Sequence, residues 1–176
     1  MASNRRRSGA TAEGPLLDAT DVRLLAELQA DARLTLAELG RRVGLSSPAV
    51  AERIGRLERG GVIRGYHADV DPRALGYALS AVIRIRPAPR RIADVARVAQ
   101  ETPEVVECDR ITGDDCFVLR AHVRDVDHLE EVIDRFTVFG QTTTSIVQSS
   151  PVPGRGVHLD AEKAPAAAAA PARYRR

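Results

Sequence analysis

The sequence contains no tryptophan, three tyrosines and three phenylalanines among its 176 residues. Aromatic packing therefore cannot dominate the interior, and leucine, valine, isoleucine and alanine must build the core. The 44% apolar and 28% charged residues are typical of a globular chain. The length is sufficient for one ordinary domain with a full core, or for two small domains in series.

Cysteines and long apolar runs are also scarce. Two cysteines, Cys108 and Cys116, are too few for a disulfide scaffold and favour structural or incidental thiols over redox chemistry. No stretch approaches the roughly 18 apolar residues that a membrane helix needs. The first 15 residues contain a basic cluster without an apolar run behind it, so they are not a secretory signal. These features predict a cytoplasmic protein without a membrane partner.

Motifs that carry enzymatic or metal chemistry are missing as well. There is no G-x-S-x-G elbow, no Gly-rich phosphate loop before a helix, and no carboxylate pair with an evident acid/base division. The histidines lie in different elements and lack metal-ligand spacing, so we expect neither a metal site, nor a cofactor, nor catalysis. They are His67, His122, His128 and His158.

The net charge of +2 is divided unevenly along the chain. Residues 41–64 contain six arginines and two glutamates, a balance of +4, whereas residues 78–152 contain nine arginines and twelve acids, a balance of −3. This division predicts a basic module that meets phosphates and an acidic one that faces other subunits and small cationic groups.

Residues 16–76 show helical periodicity. Asp18 or Asp21 can cap a first helix, and Thr35 with Glu38 forms a capping box for a second. A turn from Gly44 to Ser47 then leads to a third helix, which predicts a helix-turn-helix over about residues 36–55. After two glycines, the stretch VIRGYHADVDP suggests a small hairpin, so the domain is interpreted as a winged helix-turn-helix.

The third helix separates packing from recognition. Val50, Ile54 and Leu57 form a buried stripe, which leaves the other faces accessible. Small residues at its start allow a close approach to base edges, and arginines can contact guanine or phosphate. The alternative is a solvated amphipathic helix of an ordinary bundle. For Arg56 and Arg59, which sit late in the helix, a solvated or bracing role is also open. The predicted DNA-binding residues are Ser46, Ser47, Pro48, Ala49, Glu52, Arg53 and Arg56.

Residues 77–152 alternate between strand and helix patterns. LSAVIRIRP, VVECDRIT, FVLRAHV and TTTSIVQ are predicted strands, and the middle two flank the tight sequence GDDC as a hairpin. Two helices are predicted, one over RRIADVARVAQET and one beginning at Asp127. The order βαββαβ predicts a ferredoxin-like sandwich, so the chain is of the α+β class. Residues 1–15 and 153–176 are predicted to be a disordered arm and a flexible tail.

Five ordered motifs lie within a stretch of about sixty residues: L-D-x-x-D, D-x-R, L-x-x-R-V-G-L-S, E-R-I-x-x-L-E-x-x-G-V-I and G-Y. Together they resemble the winged helix-turn-helix of the Lrp/AsnC, or feast/famine, regulators, and the resemblance continues through the second domain. It implies a sequence-specific transcriptional regulator with double-stranded DNA as partner. It also implies a homodimer or higher even oligomer that responds to an amino acid or related metabolite.

The same resemblance marks an effector site. The family's loop usually reads G-D-x-D; here Gly113 and Asp114 match, and Cys116 replaces the second acid. The resemblance implies that Asp114 pairs with a ligand ammonium and that Gly113 lets backbone amides approach a carboxylate. Thr142 and Thr144 fall where relatives often place T-x-T. From the residues alone, the loop is equally a hairpin turn and the threonines are good strand formers.

Two other functions fit parts of the chain. An architectural protein that binds DNA with little sequence preference would use the basic tips at both ends. Sirohaem decarboxylases resemble the Lrp/AsnC family in both domains but are enzymes, and the +4 balance of residues 41–64 argues against that function.

Overall fold

A computed structural model describes residues 17–160. The predicted arm over residues 1–15 and the tail beyond residue 160 lie outside this range. The chain divides into two compact units: the described residues up to His67, with those from Gly154 onward, form the first, and Ala68–Pro153 forms the second. The sequence had predicted a domain boundary at residue 76. Residues 68–76 belong to the second unit instead, because Pro72, Leu75 and Tyr77 line a cavity together with residues of its sheet.

Three helices form the first unit: α1 (Ala19–Ala30), α2 (Leu36–Val43) and α3 (Ser47–Arg59). The periodicity of the sequence is realised in their shared core, since each helix turns its apolar stripe inward. Five residues are buried there, and Leu25, Leu28 and Ile54 pack against them. The five are Leu24, Leu39, Val43, Val50 and Leu57.

The start of α2 confirms one half of the predicted capping box. The Thr35 side chain accepts a hydrogen bond of 3.1 Å from the Glu38 backbone N–H. The reciprocal half is wrong, because the Glu38 carboxylate binds Arg41 and Arg42 one turn further along instead. Arginines three and four residues away offer that carboxylate charged donors, which are stronger partners than a neutral amide.

A sharp turn joins α2 to α3. Gly44 ends α2 in the left-handed conformation, with φ of 75°, as predicted. The backbone of the turn also lies close to Gly40 of α2, because a Cβ added to Gly40 would lie 2.4 Å from the carbonyl oxygen of Leu45. The short connection confirms a helix-turn-helix.

The predicted hairpin over VIRGYHADVDP is wrong, because the described residues between Gly61 and Asp71 contain no strand. The backbone N–H groups of Val62 and Ile63 donate to the Leu57 carbonyl oxygen and so complete the end of α3. Both side chains pack on the first core. The two apolar stretches are too short to form paired β-strands in addition to these contacts.

The second unit contains a four-stranded antiparallel sheet and two helices. Its elements are β1 (Leu79–Pro87), α4 (Ile92–Glu101), β2 (Val105–Arg110), β3 (Phe117–Val123), α5 (Val126–Thr137) and β4 (Gly140–Ile146), after a short 3₁₀ helix over Pro72–Leu75. The strand order is β2-β3-β1-β4, with every neighbouring pair antiparallel. This topology confirms the βαββαβ sandwich.

One face of the sheet and the two helices enclose the second core. Strand β3 alternates strictly between buried and half-buried residues, and β1 buries every second residue from Ala81 to Ile85. Helix α5 begins earlier than predicted, because the Asp125 side chain, not that of Asp127, accepts the capping hydrogen bond from the His128 backbone N–H. The helix then buries Leu129, Val132 and Phe136 against the sheet.

Candidate nucleic-acid interface and effector loop

Helix α3 presents a defined surface because its core contacts set its rotation. Val50 and Leu57 are fully buried. Ser46, Pro48 and Glu52 are exposed, and the remaining predicted contacts of the first turn are half-buried. Among the described residues, Ser46 forms no side-chain capping hydrogen bond, so its hydroxyl can contact another molecule. The half-buried residues are Ser47 and Ala49.

Arg53 and Arg56 lie on the edge of α3 that faces the start of α1. One nitrogen of Arg53 is 2.6 Å from the Asp18 carboxylate and 2.8 Å from that of Asp21. Arg56 reaches both Asp21 oxygens, at 2.8 and 2.7 Å. The sequence predicts accessible faces for these arginines; in the structure both are half-buried and bonded within the unit. Their contact with DNA stays a prediction.

The ion pairs affect proton affinity as well. The hydrogen bond from Arg53 lowers the pKa of the Asp18 carboxyl below its usual range. The hydrogen bonds to Asp18 and Asp21 raise the pKa of Arg53 further. Each partner stabilises the charged form of the other, so the Asp18–Arg53 pair remains charged throughout the neutral range.

The basic charge of residues 41–64 is offset by acids that lie earlier in the chain. Four of the six arginines bind acids that lie earlier in the chain, so the +4 balance of this segment is largely neutralised within the unit. Residues 17–67 together contain eight arginines and seven acids, a balance of +1. The four arginines are Arg41, Arg42, Arg53 and Arg56, and their earlier partners are Asp18, Asp21, Glu27 and Glu38.

The predicted effector loop joins β2 to β3. Gly113 has φ of 114°, a conformation that favours glycine. The Asp114 carboxylate is 90% exposed and lies 3.3 Å from a guanidinium nitrogen of Arg86, whose Nε also donates to the Asp114 carbonyl oxygen. The carboxylate that was predicted to meet a ligand ammonium thus has an internal cationic partner. The sequence interpretation missed Arg86, although its alternation with Ile83 and Ile85 on β1 places it on the open face.

The two predicted threonines lie on another part of the sheet. Thr142 pairs with Ile85 and Thr144 with Ile83, so they point to the face that the helices cover. Strand β1 separates them from β3 and its loop, a distance of about 10 Å for two strand spacings. Within residues 17–160 of one chain, the structure therefore does not bring the threonines and the Gly113–Asp114 loop into one site.

The cysteines take part in packing. Cys108 and Cys116 are free thiols that lie half-buried against the second core. Burial raises the pKa of the Cys108 thiol, with a contribution from Asp109. Among residues 17–160 no group of three or more potential metal ligands occurs, and no helix is long and apolar enough to cross a membrane.

Two family models match the chain at the two units. Residues 17–58 match the AsnC-type helix-turn-helix domain, and residues 80–157 match the Lrp/AsnC ligand binding domain. The chain belongs to the Lrp/AsnC family. Among its relatives, the uncharacterized HTH-type transcriptional regulator YezC of Bacillus subtilis is 40% identical over 134 residues, which are 76% of this chain and 95% of YezC; the HTH-type transcriptional regulator LrpC of the same organism is 34% identical over 136 residues, 76% of this chain and 92% of LrpC.

Solved structures of the family have the same fold. The feast or famine regulatory protein of Mycobacterium tuberculosis, complexed with L-methionine, superposes with a TM-score of 0.77 at 35% identity, over 82% of this chain and 99% of that one. The regulator NMB0573 of Neisseria meningitidis, also complexed with L-methionine, gives 0.73 at 29% identity, over 79% and 94%. This Lrp/AsnC chain thus has relatives that are transcriptional regulators and structural neighbours that hold an amino acid.

Proposed function

We propose that this Lrp/AsnC protein is a non-enzymatic transcriptional regulator that binds specific sequences of double-stranded DNA through α3. The orientation of α3 is the observation that supports this most directly. Its core contacts turn the front of the helix outward, where Ser46, Pro48 and Glu52 are exposed. In a helix-turn-helix these N-terminal positions of the second helix meet base edges in the major groove.

The protein acts as a homodimer or a higher even oligomer in this proposal. Two copies related by a two-fold axis would place their α3 helices about one DNA turn, roughly 34 Å, apart on a palindromic site. Residues 17–67 of the first unit carry a net charge of only +1, so the helical part of one copy alone offers little electrostatic attraction to DNA. Two copies of the first unit bound to one duplex would bind more tightly than either copy alone, because the second contact becomes intramolecular.

We further propose that an amino acid modulates DNA binding by contacting the second unit at the Gly113–Asp114 loop. Two structural neighbours are complexed with L-methionine, which makes this class of ligand the first to test. The exposed Asp114–Arg86 pair offers an acid for a ligand ammonium and a guanidinium for a ligand carboxylate. Thr142 and Thr144 would join this site only across a subunit contact, because β1 separates them from the loop.

Selection from random-sequence duplexes by the full chain tests the DNA function. We expect a recurrent motif with two half-sites about 10 base pairs apart. Salt titrations against the selected and a scrambled duplex then compare affinities. Equal affinities that fall steeply with salt would contradict the proposal and support an architectural protein.

Titration calorimetry tests the effector. We expect L-methionine or another amino acid to bind with one site per chain or per subunit pair and to shift the affinity for the selected duplex. The sirohaem decarboxylase alternative has its own readout, since addition of sirohaem would produce a bound visible absorption band. Such a band without duplex binding would contradict the regulatory function.

A further inference from the structure

Four charged residues connect the start of α1 to the middle of α3. Asp18, the N-cap of α1, lies about one turn before Asp21, and Arg53 and Arg56 are one turn apart on α3. We call these four residues the Asp/Arg cluster. All of its ion-pair distances lie between 2.6 and 2.8 Å. These lengths are typical of charge-assisted hydrogen bonds.

Asp21 is the centre of the cluster. Its side chain is fully buried, whereas that of Asp18 is 53% exposed. One carboxylate oxygen accepts from both arginines, and the other accepts from Arg56 and from the Asp18 backbone N–H. The same group therefore closes the capping box of α1 and holds two side chains of α3. A buried carboxylate with so many donors has little freedom to move.

The Asp/Arg cluster restricts the rotation and the sliding of α3, which the apolar core restricts poorly. Val50 and Leu57 bury one side of α3, but apolar contacts are non-directional and tolerate small rotations and slides. Charged hydrogen bonds from two successive turns of α3 to one buried acceptor resist both motions. Readout of bases requires groups held within about 0.5 Å and 10–20° of the productive geometry.

We infer that Asp21 is a positioning residue for DNA recognition: through Arg53 and Arg56 it sets the rotation and height of α3, so that the exposed front of the helix meets the bases. This inference rests on the proposed DNA-binding function. It gives the two arginines a bracing role, and it leaves base contacts to residues such as Ser46 and Glu52.

The test compares Asp21→Asn with Glu27→Gln. Glu27 is the matched control, because it is also an acid of α1 paired with an arginine at 2.7 Å, but that arginine, Arg42, belongs to α2. Both variants remove one negative charge, so general attraction to DNA rises equally in both. The measurements are the affinities of the full chain for the duplex that wild type selects and for its scrambled counterpart, at one salt concentration, with the helix content checked by circular dichroism.

We expect Asp21→Asn to lower the ratio of selected to scrambled affinity about tenfold, the loss that one misplaced base contact causes. Glu27→Gln should keep the wild-type ratio. A folded Asp21→Asn protein with the wild-type ratio would overturn the inference. So would equal losses for both duplexes, because a merely structural role lowers the competent fraction and affects every duplex alike.

If Asp21→Asn does not fold, Asp21→Glu takes its place. Glutamate keeps the charge but moves the carboxylate by one methylene, so a positioning role still predicts a lower ratio; an unchanged ratio would overturn the inference. The proposed function fails in a different way, since a wild-type protein that binds selected and scrambled duplexes equally would overturn that function and this inference together.

Discussion

The two units differ in how they hold the charges that were predicted to be functional. In the first unit, Arg53 and Arg56 are bound by Asp21, whose side chain is fully buried. In the second, Asp114 pairs with Arg86 while 90% of its side chain remains exposed. An ion pair with a buried member is costly to open, because the buried charge would lose its partners. An exposed pair contributes about 0–1 kcal/mol and can exchange partners with a ligand.

The buried and the exposed ion pairs suit different roles in the two units. The first unit uses its charges to fix a geometry, which a DNA reader needs before it meets its target. In the proposed function the second unit offers charges to a small zwitterion, whose ammonium competes with Arg86 for the acid and whose carboxylate competes with the acid for Arg86. The burial of the acid, rather than the sign of the local charge, therefore distinguishes a structural pair from one available to a ligand.

The largest expected effect comes from the small core of the first unit. Leu57→Ala removes a fully buried side chain that packs with only four other buried residues, and we expect a loss of about 2–5 kcal/mol in unfolding free energy. Binding to the selected duplex should disappear at 37 °C while amino-acid binding persists, measured by gel shift and calorimetry. Loss of both activities together would show that the two units are not separable in function.

Substitution of the two acids tests the comparison directly. We expect Asp21→Asn to lower the unfolding free energy by about 1–3 kcal/mol, because charged donors around a buried acceptor lose their counter-charge. Asp114→Asn should change it by less than about 0.5 kcal/mol. Urea unfolding of both variants measures the difference, and similar values for both would remove the distinction between the units.

Asp114→Ala should alter regulation without altering stability. We expect the affinity for the selected duplex without amino acid to stay within about twofold of wild type, because surface substitutions change folding little. The shift in that affinity caused by added amino acid should be lost, as gel shifts with and without ligand would show. A variant that responds normally would exclude the loop from sensing.

The smallest expected effects are on pH dependence, and they differ between the units. The lowered pKa of Asp18, caused by Arg53, means that its contribution is present above about pH 4 and is lost as pH falls through the lowered value. Burial, with Arg120, lowers the pKa of His122, so its contribution is complete above about pH 6.5 and is lost as pH falls through that lowered pKa.

Unfolding measured from pH 7.5 to 3 should therefore show a loss below pH 6.5 and a further loss at more acid pH, to which Asp18 of the first unit contributes. His122→Gln should flatten the curve below pH 6.5, and Asp18→Asn, which keeps a good capping residue, should flatten it below pH 4. If one substitution flattened both regions, the assignment of the losses to separate units would be wrong.

Much of the fold was predictable because its signals are local. The stretch LSAVIRIRP coincides with β1, since the alternation of apolar residues has the period of a strand. The αL glycine at Gly44 and the Thr35 cap also depend on neighbours within a few residues. The hairpin after α3 was predicted wrongly because the backbone of Val62 and Ile63 bonds to the Leu57 carbonyl oxygen, and apolar spacing does not show which partner a backbone group takes.

The candidate site was less predictable, because it depends on pairs that are distant in the chain. Residues of the Asp/Arg cluster are 32 to 35 positions apart, and the sequence window that gave +4 omitted both acids. The matched spacing of the two acids and the two arginines was the available signal. This spacing indicates ion pairs only when α1 and α3 are known to pack side by side.

The sequence by itself determined the family, the order of the main helices and strands apart from the hairpin after α3, and the residues that build each core, because periodicity, caps and motifs act over a few residues. The tertiary structure alone decided which of the paired charges are buried and which are exposed. It buried Asp21 beneath two arginines of α3 and left Asp114 in solvent beside Arg86. The physical reason is that the strength of a charge interaction depends on burial and on the distance to its partner, and both are properties of the packed chain.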